Sequence, residues 1–228
     1  MTVATDSSDT KTRILRIAER MFAERGFAGV SLRQLTTAAG VNLAAVNYHF
    51  GSKEGLLTAI FESRCNPMNE ERLRRLEACA EVESGAPLLE QIVAAFIAPA
   101  LASTNNAAGG AVFTRLRATL AAEQNELART LVAKYFDRTS IRFITALARA
   151  LPHLSQAEVF WRFNFLLGTL YYTMVNPARI EHLSSGLCDA TDVDAVLAQM
   201  VPYAAAGFRA PGLANSGPRR TAHRKAAR

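Results

Sequence analysis

Between Asn42 and Lys53 the chain reads Asn-Leu-Ala-Ala-Val-Asn-Tyr-His-Phe-Gly-Ser-Lys, its densest run of side chains suited to recognition chemistry. Leu43, Ala44 and Ala45 are small enough at their end of a short helix to let it approach a surface closely, and their methyl groups can meet a thymine methyl. Asn47, Tyr48 and His49 supply donors, acceptors and a flat face on the outward side. Lys53, at the start of the following helix, places a cation beside free backbone N–H groups, a combination that holds a phosphate. Such a helix suits the major groove of duplex DNA. Taken alone, its composition also fits an ordinary solvated face. Catalytic chemistry has little support. The histidines are His49, His153, His182 and His223, and the sequence contains no H-E-x-x-H, no G-x-S-x-G, no Walker loop and no G-x-G-x-x-G after a strand. No metal site and no cofactor are expected. Cys65, Cys79 and Cys188 form an odd set without C-x-x-C spacing, which reads as buried free thiols rather than a disulfide or zinc framework.

The elements that must position this cluster follow from periodicity. Ile14, Ile17, Ala18, Met21 and Phe22 recur at one-face helical spacing, so a first helix is expected from near Asp9 or Thr10 to Gly26. Ser31 caps a second, with Leu32, Leu35, Ala38 and Ala39 turned inward until Gly40. Asn42 caps a third, Leu43 to His49, with Val46 and Phe50 inward. Gly51 breaks it, and Ser52 caps a fourth helix from Lys53. Two short helices joined by a glycine-containing turn behind a longer one make a helix-turn-helix. Neither short helix is stable alone, so residues 10–66 are read as one cooperative unit held by the first and fourth helices. The fourth is expected to bend near Pro67, with Glu70 to Ala80 as its polar continuation. Further helices are expected at Pro87–Ser103, Ala111–Ala122, Leu127–Leu151, Gln156–Asn176 and Asp192–Phe208, with Ser155 and Thr191 as caps, Pro152 and Pro177 just beyond helix ends, and Gly109-Gly110 as a break. No segment alternates with period two. The fold class is therefore all-α, about nine helices.

Charge divides the chain unevenly. Residues 1–53 hold seven Lys/Arg against four Asp/Glu, residues 54–208 hold thirteen against sixteen, and residues 209–228 carry six basic residues and no acid, which equals the whole net charge of +6. A basic amino-terminal quarter is thus followed by a mildly acidic body. The stretch from Pro211 to Arg228 reads as a basic disordered tail, a solvated end or a sequence-independent phosphate binder. No apolar run reaches the roughly 20 residues of a membrane span, and Met1 to Thr10 lack the basic start and apolar core of a secretory signal. A cytoplasmic protein without a membrane partner is expected.

The stretch Lys11 to Phe61 resembles the DNA-binding domain of the TetR family of transcriptional regulators. The residues that carry the likeness are Arg13-Ile14-Leu15, Ala18, Phe22, Glu24-Arg25-Gly26-Phe27, Ser31-Leu32-Arg33, Ala39-Gly40-Val41 and Tyr48-His49-Phe50-Gly51-Ser52-Lys53-Glu54-Gly55-Leu56. The resemblance implies an amino-terminal helix-turn-helix DNA-binding domain at 8–68, a ligand-binding and dimerisation bundle at 69–208 and the tail at 209–228. Position by position, it implies a phosphate contact at Ser31, a groove contact at Arg33, base reading at Ala44 and Ala45, an aromatic packed on the sugar-phosphate backbone at Tyr48, a backbone or base contact at His49 and a phosphate contact at Lys53. Asn47 departs from the aromatic commoner at its position, and its amide suits an adenine edge. Val46 and Phe50 are core.

The run from Asn42 to Phe50 is similar to a branch that includes fatty-acid-responsive regulators. The body matches less distinctly. Aromatic residues there, among them Phe96, Phe113, Phe136, Phe143, Phe160, Trp161, Phe163, Phe165, Tyr171 and Tyr172, suit either core or a largely apolar pocket. Phe113, Arg117, Phe143, Asn164 and Tyr171 are the candidate ligand contacts, with Arg142 as a further polar candidate. The family likeness implies a homodimer packed through the helices near Gln156–Asn176 and Asp192–Phe208, an operator of double-stranded DNA and a small, largely apolar inducer, with the fourth helix as lever. A ligand-responsive repressor is the expected function. A helical interaction module without specific DNA binding is the alternative, and a helical enzyme acting on a small molecule is a third reading.

Overall fold

In the computed structural model residues 7–80, 88–104 and 109–212 are described, and they form ten helices with no strand among them. Local chemistry sets the boundaries of the first four. Helix α1 (Ser7–Arg25) stops where Gly26 turns to φ 77°, and α2 (Leu32–Ala39) starts at a reciprocal cap. There the Gln34 N–H donates to Ser31 Oγ at 3.3 Å while the Ser31 N–H donates to Gln34 Oε1 at 2.9 Å. Gly40 ends α2 in the left-handed region at φ 63°. Helix α3 (Leu43–Phe50) is capped by Asn42, whose Oδ1 accepts from the Ala45 N–H at 2.9 Å. Ser52 opens α4 (Lys53–Ala80) by accepting from the Gly55 N–H at 3.0 Å, and α4 runs through Pro67 as one element.

The remaining helices are α5 (Leu88–Thr104), α6 (Gly110–Ala122), α7 (Glu126–Ala150), α8 (Gln156–Val175), α9 (Pro177–Leu183) and α10 (Val193–Arg209). The extra helix is α9. It begins on Pro177 and lasts only seven residues, too few to show a repeating apolar stripe. Asp192 and not Thr191 caps α10, its carboxylate accepting from the Ala195 N–H at 3.0 Å. The expected start at Pro87 and most of the basic tail lie outside the described residues.

Two apolar clusters hold the helices together. In the first, Ile14, Ala18 and Phe22 of α1 pack on Leu35, on Val46 and on Leu56, Leu57, Ile60 and Phe61. Phe113, Leu116 and Leu120 of α6 and Ala128 and Leu131 of α7 complete it, so the helix-turn-helix unit rests on a third support besides α1 and α4. The second cluster centres on Phe96 of α5, which meets Phe143 and Phe163 edge-on at 5.0 Å, and it extends to Met200 and Phe208 of α10. Each fully buried side chain of this size contributes about 1.5–3 kcal/mol through removal from water.

Polar ties fix the angles between helices. Arg64 of α4 donates from Nε to Glu19 Oε1 of α1 at 2.8 Å, a largely buried pair in which burial raises the Glu19 pKa and the guanidinium opposes the rise. Arg162 of α8 donates to the carbonyls of Gly207, Phe208, Ala210 and Pro211, filling the open carboxy-terminal end of α10. Cys65 is buried as expected, Cys79 is half-buried, and Cys188 is exposed because it sits in the irregular segment between α9 and α10. No helix of the described residues is long and apolar enough to cross a membrane.

Candidate nucleic-acid interface and ligand cavity

The capped turn between α2 and α3 leaves one side of α3 open to solvent. Val46 is fully buried and Phe50 half-buried, which anchors the helix and turns Ala44, Asn47 and Tyr48 outward. Tyr48 is 83% exposed, and Ala45 and His49 are intermediate. The His49 ring packs between Tyr48, edge-on at 5.1 Å, and Phe50 at 5.9 Å. Arg33 is exposed on α2. Ser31 is exposed too, but its hydroxyl donates to Gln34 Oε1 at 3.0 Å, so a phosphate contact from it requires that hydrogen bond to be exchanged.

Lys53 is held more tightly than a free surface cation. Its ammonium lies 4.3 Å from the centroid of the Phe27 ring and 5.9 Å from that of Phe22. Burial lowers its pKa, with Glu54 and Glu123 acting in the opposite direction. Beside α2 lies a cleft of about 780 Å³ whose basic walls are Arg20 and Arg25 of α1 and Arg33, with Ser31, Gln34 and Thr37 between them. Arg20 and Arg25 were not among the candidates. The basic excess of residues 1–53 pointed to them collectively, but only the packing of α1 against α2 shows which arginines share a wall with Arg33.

A second cavity, of about 700 Å³, opens among α4, α5, α6, α7 and α8. Met68, Phe96, Val132, Phe136, Leu170 and Met174 give it apolar walls, and Arg72, Arg117, Asn164 and Tyr171 are among its polar groups. Three of the five candidate ligand residues, Arg117, Asn164 and Tyr171, therefore line one space. Phe113 and Phe143 do not. Phe113 is 8% exposed and packs edge-on against Phe61 at 5.3 Å, and Phe143 is fully buried against Phe96. Both are spent on the core. Arg142 lies on the surface 3.7 Å from Glu77, and Phe160, Trp161, Phe165 and Tyr172 face outward from α8. Arg72 is the residue that sequence reasoning missed. It stands among Arg74 and Arg75 in an apparent charge run, but the spacing Cys65, Asn69, Arg72, Leu76 puts it on the inward stripe of α4.

The cavity and the α1–α2 corner are joined by the end of α6. Gln124 and Asn125 line the cavity, while their neighbour Glu123 accepts from the Phe27 N–H at 3.2 Å and Thr119 Oγ1 donates to the Ala23 carbonyl at 3.1 Å. Gln124 has φ 52°, a left-handed backbone for a non-glycine residue, which fixes the sharp turn from α6 into α7. Among the described residues, no group of three His, Cys, Asp or Glu side chains could hold a metal ion.

Residues 14–60 match the family described as "Bacterial regulatory proteins, tetR family", and residues 94–207 match the "Tetracyclin repressor-like, C-terminal domain". The chain is 39% identical over 95 residues to the HTH-type transcriptional regulatory protein RaaS of Mycobacterium tuberculosis, a match covering 36% of this chain and 42% of that protein. It is 42% identical over 62 residues to the HTH-type transcriptional repressor AcnR of Corynebacterium glutamicum, covering 26% and 33%. These matches span less than half the length of either relative. Among solved structures, the fatty acid degradation regulator FadR from Bacillus halodurans shares the fold with a TM-score of 0.64 at 16% identity, covering 88% of this chain and 96% of that one. A TetR-family regulator from Mesorhizobium loti has a TM-score of 0.57 at 19% identity, covering 90% and 95%.

Proposed function

We propose that this chain, which belongs to the TetR family of transcriptional regulators, is a cytoplasmic, ligand-responsive repressor that binds a pseudo-palindromic operator as a homodimer. The observation that carries the reading is the open face of α3, with Ala44, Asn47 and Tyr48 presented by a helix locked at Asn42 and Val46 beside the arginine-walled cleft of α1 and α2. In this reading Ala44, Ala45 and Asn47 meet base edges in the major groove. Arg33 reaches into the groove, Ser31, Tyr48, His49 and Lys53 hold the sugar-phosphate backbone, and Arg20 and Arg25 add to the positive wall. Lys53 must leave the Phe27 ring to reach a phosphate, at a cost between the about 0.5–1 kcal/mol of an exposed cation–π contact and the about 2 kcal/mol of a desolvated one.

The outward aromatic side chains of α8, with Tyr203 of α10, form the face for a second copy. Trp161 and Phe165 stack with centroids 5.9 Å apart, a flat apolar surface of the kind buried at dimer interfaces. Two-fold symmetry then sets two α3 helices about 34–36 Å apart, or a multiple of that, on one side of the duplex. The cavity is the effector site. A ligand that prefers the form with α6 shifted moves Glu123 and Thr119 together, and with them the corner at Ala23 and Phe27. The shift in population is set by the ligand's differential affinity for the two forms. The end of α6 is thus a second lever beside α4.

Selection from a random duplex library with the purified chain tests the reading. Recovery of an inverted repeat whose half-sites sit one helical turn, or a multiple, apart is the expected result. Salt-sensitive binding without sequence preference, or no binding, overturns it and favours the interaction module.

A further inference from the structure

Of the three arginines on the cavity wall, Arg129 is exposed and paired with Glu126, whereas Arg72 and Arg117 have no carboxylate partner among the described residues. Arg72 retains only 4% of its surface; its Nε donates to the Phe96 carbonyl at 2.9 Å and its guanidinium lies 3.9 Å from the centroid of the Phe96 ring. Arg117 enters from α6 and sits 4.8 Å from the Phe136 centroid and 5.5 Å from that of Tyr171. Its Nε is buried and has no hydrogen-bond partner. Burial disfavours the charged form of both guanidiniums, and the charge of Arg117 adds to that effect at Arg72. Neither pairs with a carboxylate among the described residues, and Asp137, the acid at the cavity wall, is exposed and bridges to neither.

A guanidinium does not shed its proton at neutral pH, and a buried unpaired charge is among the costliest arrangements in a protein interior. The neighbouring groups give no relief. Burial pushes the Cys65 thiol up to about 12 and raises the Tyr171 phenol, so both stay neutral. No counter-ion stands beside the two arginines among the described residues, and a bound anion would supply one. Aromatic faces hold both guanidiniums in orientation, and their forked N–H groups match the two oxygens of a carboxylate. The other walls, Met68, Ala100, Leu120, Val132, Leu170 and Met174, offer contact to hydrocarbon.

We infer that the cavity binds an amphiphilic carboxylate, its head group held by Arg117 and Arg72 and its apolar body lying along the walls of α4, α7 and α8. The inference rests on reading this cavity as the effector site, and it names the chemistry of the effector.

Calorimetric titration of the intact chain with straight-chain carboxylates from hexanoate to tetradecanoate, the matching primary alcohols and the matching alkyl phosphates tests it. At least one carboxylate is expected to bind about tenfold or more tightly than its alcohol, the difference a charge-assisted hydrogen bond makes. Arg117→Gln is expected to remove that difference and to leave the melting temperature of the ligand-free protein unchanged or higher, because an uncompensated charge has gone. Equal affinity for acid and alcohol, no binding of any carboxylate at millimolar concentration, or tighter binding of the phosphate overturns the assignment. A lowered melting temperature in Arg117→Gln, with the acid preference intact, makes the arginine structural and also overturns it. The wild-type comparison decides even where the variant does not fold. Carboxylate binding that leaves an operator complex intact removes the effector role while keeping the ligand class, and operator release by a neutral compound, with acid and alcohol equal, does the reverse.

Discussion

Tyr48 separates folding from recognition more cleanly than any other side chain of α3. With 83% of its surface exposed and only the His49 ring beside it, its truncation to alanine should change folding stability by no more than about 0.5 kcal/mol. On DNA the loss is larger. A side-chain hydrogen bond to an ionised phosphate contributes about 1.5 kcal/mol at the low end, and two symmetry-related heads double it to about 3 kcal/mol, a loss of roughly 100-fold in operator affinity. Fluorescence anisotropy with the selected operator and a scrambled duplex, at two salt concentrations, measures it, with thermal unfolding as the control. Because the side chain is uncharged, the slope of affinity against salt should be that of the wild type, whereas Lys53→Ala should make it shallower by about one phosphate per head. Tyr48→Phe keeps the ring and loses the hydroxyl, so on the same arithmetic its affinity should fall about as far as that of Tyr48→Ala. Operator affinity of Tyr48→Ala within twofold of wild type, with unfolding unchanged, refutes the placement of this face on DNA.

The turn chemistry makes its own predictions. Asn42→Ala removes the cap of α3 and should cost about 1 kcal/mol in a denaturant titration, with weaker operator binding in proportion as α3 frays. Gly26→Ala should cost more than 1 kcal/mol, because φ is 77° and the new Cβ would run into the Glu123 carboxylate. In a Glu123→Ala background only the backbone part of that penalty should remain, and a double-mutant cycle reads the difference. Arg209 holds Glu90 below the usual carboxylate range by hydrogen bonding, which ties α10 to α5. A folded-state pKa below the unfolded one gives stability that is present above the ordinary carboxylate value and is lost as pH falls through the lowered one. The melting-temperature gap between wild type and Glu90→Gln should therefore close as pH falls below about 4.5.

The helix-turn-helix was legible because its determinants are local. Ser31, Asn42 and Ser52 act within three residues of themselves, and Gly26, Gly40 and Gly51 end helices by backbone conformation alone. At Lys53 the sequence shows a cation at a helix start suited to a phosphate, but nothing near it in sequence shows that the Phe27 ring lies beneath it. The cavity was half legible. Aromatic residues in the body were expected to serve either core or pocket, and composition does not tell Phe136, on the cavity, from Phe143, beneath Phe96. Arg72 was hidden by its charged neighbours, although helical phase alone would have turned it inward. The contacts of Glu123 and Thr119 with Phe27 and Ala23 each span 96 residues, and no local pattern encodes them.

The first apolar cluster has a consequence for anyone who would transplant the amino-terminal unit. Leu116 and Leu120 of α6 belong to the same buried cluster as the apolar faces of α1 and α4, so a fragment ending at residue 68 exposes part of that cluster to water and forfeits several buried side chains, each contributing about 1.5–3 kcal/mol. A chimera that joins this head to a foreign body through α4 alone inherits the same defect. The exchangeable module is discontinuous in sequence: it comprises α1 to the first half of α4 together with α6 and the opening turns of α7, and a graft that keeps those pieces together carries its recognition surface intact.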